Sequence, residues 1–368
     1  MHVLVLGAGI VGVAVADALA QRGARVTVLD MRVPGRGASY ASAGILAPYT
    51  EAHHDSPLLP LATRSLDMFD DFVSGVAARS GRTIEYARSG TLEVALGDVD
   101  VARLKAASTW LASIGITHEW LDSAGVRAFE PATTSSAVAG LLVPGHGFVG
   151  VASLLSALTH SARLAGAVFE APVEATDIDA VRDHVVVRAG ARRYTADSVV
   201  VATGTWSQRV RVKGARPIPV RPIRGQLLHL RWPAKPPARV VWGPRCYTVP
   251  WRDGSVLVGA TVEDVGFDER STVAGVHDLT AAVAELLPAS LQASIEDVRV
   301  GLRPATSDGL PVIGASTVDP RITIATGHYR NGILLAPLTA AVVARRVLDG
   351  VDDPVLAVTR ADRFAGST

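Results

Sequence analysis

The chain has 368 residues, 48% of them hydrophobic and 19% charged, with a formal net charge of +1. These proportions belong to a well-packed globular protein of about two domains and exclude a disordered chain. No block of like charge offers an electrostatic footprint for nucleic acid or a membrane surface, and the single cysteine, Cys246, excludes an intrachain disulfide framework and accords with a reducing cytoplasm.

Residues 2–6 are an almost wholly apolar run, the pattern of a central parallel strand buried on both faces. Gly7-Ala8-Gly9-Ile10-Val11-Gly12 follows, then an apolar helix over about 10–22 that stops at Gly23, and a second strand over 24–29 that ends on Asp30. Gly7 permits the tight turn, Gly9 lets the backbone approach a pyrophosphate, and Gly12 lets helix and strand pack closely. The helix N-terminus presents free N–H groups to the phosphates. Asp30 stands 18 residues past Gly12, near the spacing of a carboxylate that accepts from ribose hydroxyls. The motif predicts a bound dinucleotide and leaves FAD and NAD open. It also argues against a signal peptide, because the three glycines break the apolar run and no basic segment precedes it. No apolar stretch reaches the roughly 18 residues of a membrane helix, so a cytoplasmic protein without membrane partner is expected.

Further along, strands are expected at 91–96, 226–231, 246–250 and 255–260, and amphipathic helices at 100–113 and 276–287. A Pro-rich loop occupies 232–237. Residues 197–207 read as a buried strand entering a small-residue turn at Gly204. The last unit is a strand at 321–326, the turn Gly327-His328-Tyr329-Arg330-Asn331-Gly332 and a helix to about Leu348, with Pro337 tolerated only in its first turn. Dinucleotide elements at both chain ends predict an α/β fold. A Rossmann-like, discontinuous dinucleotide domain (1–80, 148–212, 296–368) would carry an inserted α+β antiparallel-sheet substrate domain (81–147, 213–295).

Five segments together resemble the glycine oxidase branch of the D-amino-acid oxidase and sarcosine oxidase family: Ser42-Ala43-Gly44-Ile45-Leu46, Cys246-Tyr247-Thr248-Val249-Pro250, Val258-Gly259-Ala260-Thr261, Gly301-Leu302-Arg303-Pro304 and the long run from Gly327 to Pro337. They occur in the family's order across almost the whole chain, and the last looks most like the thiamine-pathway glycine oxidases. The resemblance selects non-covalent FAD over NAD. It implies hydride transfer from the Cα of glycine or an N-substituted glycine to flavin N5, hydrolysis of the imine to glyoxylate plus ammonia or amine, and reduction of O2 to hydrogen peroxide. It also implies a homo-oligomer. Such chemistry is carried by the cofactor, and the protein supplies position and electrostatics without a metal.

Arg303 is the expected carboxylate anchor, because a guanidinium grips a carboxylate through two parallel charge-assisted hydrogen bonds. By resemblance, Tyr247 hydrogen-bonds the same carboxylate, and the carbonyl of Arg330 accepts from the substrate amine in a turn set against the flavin. The resemblance further places Ala38, Ser39, Ala43, Gly44 and Ile45 along pyrophosphate and flavin, and Val173 at adenine. Met31 and Gly204 join them, as do His328, Tyr329, Asn331, Gly332, Ile333 and Leu334 of the last turn. Cys246 reads as a small apolar residue, and His53-His54-Asp55 as a solvated loop, not a metal site. The chain departs from the family at Arg245 and Val262. A cation and a smaller side chain at the pocket mouth suit a larger substrate, such as an N-carboxymethyl amino acid of specialised β-amino-acid biosynthesis; the other reading of Arg245 is a rim residue facing water. A dehydrogenase with another acceptor and a catalytically silent FAD-binding subunit are the remaining alternatives.

Overall fold

The computed structural model describes residues 1–51 and 56–364, so His53, His54 and Asp55 lie outside the described residues. A six-stranded sheet runs Val312–Ala315, Ile322–Thr326, Ser198–Val201, His2–Leu6, Arg25–Leu29, Val168–Glu170, parallel except for its first strand. Side chains alternate across a strand, and this sheet uses both faces. Val3 and Val5 join the core formed with helices Ile10–Gln21, Val151–Leu164 and Ala336–Asp349. Leu4 and Leu6 face the other way, onto a four-stranded sheet that contributes Ile178, Val185 and Val187. Continuous burial of His2–Leu6 therefore follows from being sandwiched, which is why the run lacks polar alternation.

A second large sheet has eight strands in the order Ser294–Ala305, Arg221–Arg231, Ser255–Gly259, Tyr247–Pro250, Val240–Trp242, Thr91–Ala95, Ala139–Val143, Glu119–Asp122. It is antiparallel except where Val240–Trp242 meets Thr91–Ala95. Helix Val273–Leu286 covers it through Leu279, Val283 and Leu286. Two strands are longer than their sequences promise. Pro222 and Pro304 sit opposite each other, where Ser294–Ala305 is the sheet edge and Arg221–Arg231 has not yet met Ser255–Gly259. Neither proline needs to donate there. Arg303 thus lies within a strand of the antiparallel sheet, not after one, and the boundary expected at residue 296 falls inside that strand.

Pro337 occupies the first turn of helix Ala336–Asp349. Among the described residues no helix is long and apolar enough to cross a membrane.

Candidate active site and cofactor cradle

The turn after His2–Leu6 is closed by its glycines. Gly7 has φ +102°, and a Cβ on it would stand 2.4 Å from the Ala202 carbonyl oxygen. A Cβ on Gly12 would sit 1.9 Å from the Gly7 carbonyl oxygen, so helix Ile10–Gln21 rests directly on the turn. Gly9 differs: the nearest atom to its Cβ would be Ser39 Oγ at 3.5 Å. Its open side faces a cavity, and as the cap residue of the helix that begins there it supplies no capping side chain of its own. The Ile10 amide donates to Ser39 Oγ at 3.0 Å. Asp30 braces the turn from the next strand, accepting from the Ala8 amide (2.5 Å) and the Arg32 amide (2.7 Å). Burial raises the Asp30 carboxyl above its ordinary value, and those two amides oppose the rise. The Val173 amide donates to the Asp30 carbonyl at 2.7 Å, which brings the 173–176 segment to this end of the cavity.

At the other end stand Tyr247 and Arg303, and two glycines make room for them. A Cβ on Gly259, paired with Tyr247, would lie 2.5 Å from the Tyr247 hydroxyl, and one on Gly225 would lie 2.3 Å from the Arg303 guanidinium. Arg303 Nη1 donates to the carbonyls of Thr261 (3.0 Å) and Arg224 (3.2 Å). Among the described residues no carboxylate pairs with it, so its charge faces the cavity uncompensated. Burial raises the pKa of the Tyr247 phenol, and the positive charge and hydrogen bond of Arg303 oppose that rise. Tyr247 therefore stays a neutral hydrogen-bond donor.

Behind this pair lies a buried polar network. Gln226 donates through Nε2 to Glu263 (2.8 Å) and Thr272 (2.9 Å), and its side-chain carbonyl accepts from the Thr272 amide (2.9 Å). Thr261 Oγ accepts from the Gln226 amide (2.9 Å) and donates to Glu263 (2.6 Å). Arg224, buried, pairs with Glu263 (2.5 Å) and Asp268 (2.9 Å). The two carbonyls that hold Arg303 belong to Thr261 and Arg224, so the network fixes the anchor through its backbone.

The turn 327–332 closes the site. Tyr329 has φ +47°, and its amide donates to the Pro304 carbonyl at 2.9 Å, tying the turn to the strand of Arg303. The Arg330 guanidinium meets Glu51 Oε2 at 2.5 Å. Burial works against the charge on Arg330, and Glu51 more than restores it. His328 is buried, hydrogen-bonded to Thr339 Oγ at 3.0 Å and pushed down to about 4 by burial, so it is neutral at neutral pH.

Residues 2–346 match the family model for FAD dependent oxidoreductases. The chain belongs to that family. It is 33% identical over 344 residues to a glycine oxidase of Geobacillus kaustophilus, covering 93% of this chain and 91% of the relative. It is 34% identical over 374 residues to the bifunctional protein ThiO/ThiG of Synechocystis sp., covering 100% of this chain and 54% of that protein, so it spans about half the bifunctional relative. The crystal structure of glycine oxidase from Geobacillus kaustophilus superposes with a TM-score of 0.93 at 32% identity, covering 98% of both chains. That of iminodiacetate oxidase from Chelativorans sp. BNC1 superposes with a TM-score of 0.88 at 26% identity, covering 97% of this chain and 98% of that one.

The cofactor of this FAD-dependent oxidoreductase fits the cradle described: backbone amides at a helix N-terminus whose cap residue is a glycine, the open side of that Gly9 and a braced acidic residue. Of the cofactor residues expected from the sequence, all but Gly12 and Leu334 line one cavity, and Tyr247, Arg303 and Val262 line it too. Gly12 acts one layer below, as helix-to-turn packing, and Leu334 is in the core. Of the two readings of Arg245, the geometry favours the solvent-facing one. Its side chain pairs with Glu285 at 2.7 Å, both half exposed, and it does not line the cavity. It belongs to the segment joining strands Val240–Trp242 and Tyr247–Pro250, which carries it toward helix Val273–Leu286. Cys246 is buried in the core, and burial pushes its thiol up to about 12. Sequence reasoning missed Glu51, Arg32, Trp206 and Arg209, which also line the cavity. Arg32 lies 4.7 Å from the Trp206 ring centre and grips Glu269, while Arg209 lies 3.7 Å from the Phe267 ring centre. These partners come from distant loops, and no local spacing announces them.

Proposed function

We propose that the protein oxidises glycine or an N-substituted glycine, releasing glyoxylate and ammonia or the corresponding amine. The observation that carries this reading is Arg303, a cation without a carboxylate partner among the described residues, set beside a neutral tyrosine in the cavity that holds the dinucleotide cradle. FAD, held by the glycine turn and the 327–332 turn, would supply the hydride acceptor for the substrate Cα and the route of both electrons to O2, giving hydrogen peroxide.

The chain's own residues bind and orient. Arg303 and Tyr247 fix the substrate carboxylate, and with it the direction of the Cα–H bond. The Arg330 carbonyl accepts from the amine. Charges balance as one N-substituted glycine, one water and one O2 giving one glyoxylate, one amine and one peroxide. The likeness to a glycine oxidase and an iminodiacetate oxidase supports the small-amine class. A larger substrate gripped by Arg245 loses its support, because that residue faces Glu285.

The test is anaerobic bleaching of the flavin by glycine, sarcosine, D-alanine and N-carboxymethyl amino acids side by side, followed by peroxide measurement on readmitting air. Bleaching by glycine or sarcosine with stoichiometric peroxide is expected. Bleaching without peroxide would assign a dehydrogenase, and no bleaching by any of them would end the proposal.

A further inference from the structure

Four arginines line the cavity: Arg32, Arg209, Arg303 and Arg330. The first pairs with Glu269 and the second lies over the Phe267 ring. Among the described residues three acidic side chains line it as well. Asp30 and Glu174 belong to the end fixed by the Val173 amide, whereas Glu51 closes the short helix Pro48–Glu51 and meets Arg330. Glu51 is mostly buried, with its side chain 13% exposed, while Arg330 is 38% exposed. The Tyr247 phenol is within electrostatic reach of Arg303, Glu51 and Arg330 together, so the pair belongs to the substrate end. Val262, 58% exposed, marks its outer edge.

We propose that Glu51 is a specificity-determining residue: by engaging Arg330 it leaves Arg303 as the one arginine around Tyr247 without a carboxylate partner among the described residues, and so selects glycines with a hydrogen or uncharged substituent on nitrogen over those whose substituent carries a second carboxylate. The inference rests on the proposed glycine-type oxidation and names its substrate class more narrowly. A second carboxylate entering this end would have to displace Glu51 from Arg330 and remain beside it. Like charges held together in a partly desolvated site repel strongly, which is how interfaces reject wrong partners. A monocarboxylic substrate meets no such conflict.

The test uses wild-type holoenzyme, Glu51→Gln and Glu51→Asp. Steady-state kcat/KM is measured for sarcosine and iminodiacetate. Calorimetry gives the dissociation constants of their unreactive ether analogues, methoxyacetate and diglycolate. Glu51→Gln is expected to raise the iminodiacetate-to-sarcosine ratio and the relative affinity for diglycolate by about tenfold or more, whereas Glu51→Asp, which keeps the charge, stays near wild type. Unchanged ratios in Glu51→Gln would overturn the proposal, as would Glu51→Asp shifting them as far. If the wild type oxidises neither amine, the functional reading fails, while the ether affinities still decide whether Glu51 discriminates by charge.

Discussion

Where the cavity meets the parallel sheet, it is built from backbone: amides at the start of helix Ile10–Gln21, glycines at 7, 9 and 12, and one carboxylate that braces the turn. Where it meets the antiparallel sheet, it is built from side-chain charge, with Arg303 and Arg330 flanking Tyr247 and a buried network of Arg224, Gln226 and Glu263 behind them. The backbone end needs space and therefore tolerates few side chains. The charged end needs rigid positioning of long side chains and therefore recruits polar partners from far along the chain. A substitution at one end should consequently fail in a different way from a substitution at the other.

The largest effect expected is at the charged end. Arg303→Ala removes one partner of the ion pair proposed with the substrate carboxylate, and losing one side of a buried, hydrogen-bonded pair costs about 2–5 kcal/mol. That corresponds to a loss of roughly 30-fold or more in kcat/KM. Flavin content should stay at the wild-type level, because Arg303 is held by Thr261 and Arg224, not by the glycine turn. Loss of flavin in this variant, read from the absorbance of the purified protein, would break the separation between the two ends.

A paired substitution sharpens the same comparison at the backbone end. In Gly12→Ala the new Cβ collides with the Gly7 carbonyl, and overpacking of this kind costs about 1–3 kcal/mol. In Gly9→Ala the new methyl meets no protein atom closer than 3.5 Å. Its folding stability should stay within about 0.5 kcal/mol of wild type, while its affinity for FAD falls because the methyl occupies the pyrophosphate approach. Thermal unfolding with and without added FAD separates the two. If Gly9→Ala lowered Tm in the absence of FAD as much as Gly12→Ala, the cavity side of the turn would be packed rather than open.

The same contrast explains what could be read from the chain. The strand, the glycine turn, the helix and Asp30 lie within thirty residues, and each physical requirement leaves its trace next to the others. Arg303 and Tyr247 were legible through the segments around them, but their supports were not. Gly225 and Gly259 look like ordinary strand glycines until the Arg303 and Tyr247 side chains are seen filling the space that a Cβ would take. Glu51 stands 279 positions before Arg330 and carries no spacing signal. Arg245 left two readings open, a cation at the pocket mouth or a rim residue facing water, because the chain alone does not show that the connecting segment turns it toward Glu285. Pro222 and Pro304 concealed the full length of two strands, since the sheet edge that excuses them is a tertiary fact.

Two buried imidazoles, one lining the cavity and one outside it, also differ in a way that can be titrated. His328, beside the cofactor turn, is hydrogen-bonded to Thr339. His146, between strands Ala139–Val143 and Gly147–Val149, stacks on Tyr49 at 5.4 Å between ring centres, with no hydrogen-bond partner for either ring nitrogen among the described residues. Burial pushes His146 down to about 3, helped by the Arg88 charge, and His328 down to about 4. Both folded values lie below that of the unfolded chain, about 6.5. The stability these groups contribute is therefore complete above pH ~6.5 and is lost as pH falls from there toward the folded values, because only the unfolded chain takes up the proton. Each histidine adds a slope approaching about 1.4 kcal/mol per pH unit across that window. His146→Phe keeps the stack on Tyr49 and deletes two unpartnered nitrogens, so stability at pH 7.5 should change by less than about 1 kcal/mol. Between pH 6 and 5 the variant should lose about 1 kcal/mol less than wild type in urea unfolding, with the His328 share of the slope remaining. Parallel pH profiles for the two proteins would mean that His146 gains a partner for its proton in the folded chain, and the contrast with the hydrogen-bonded His328 would be lost.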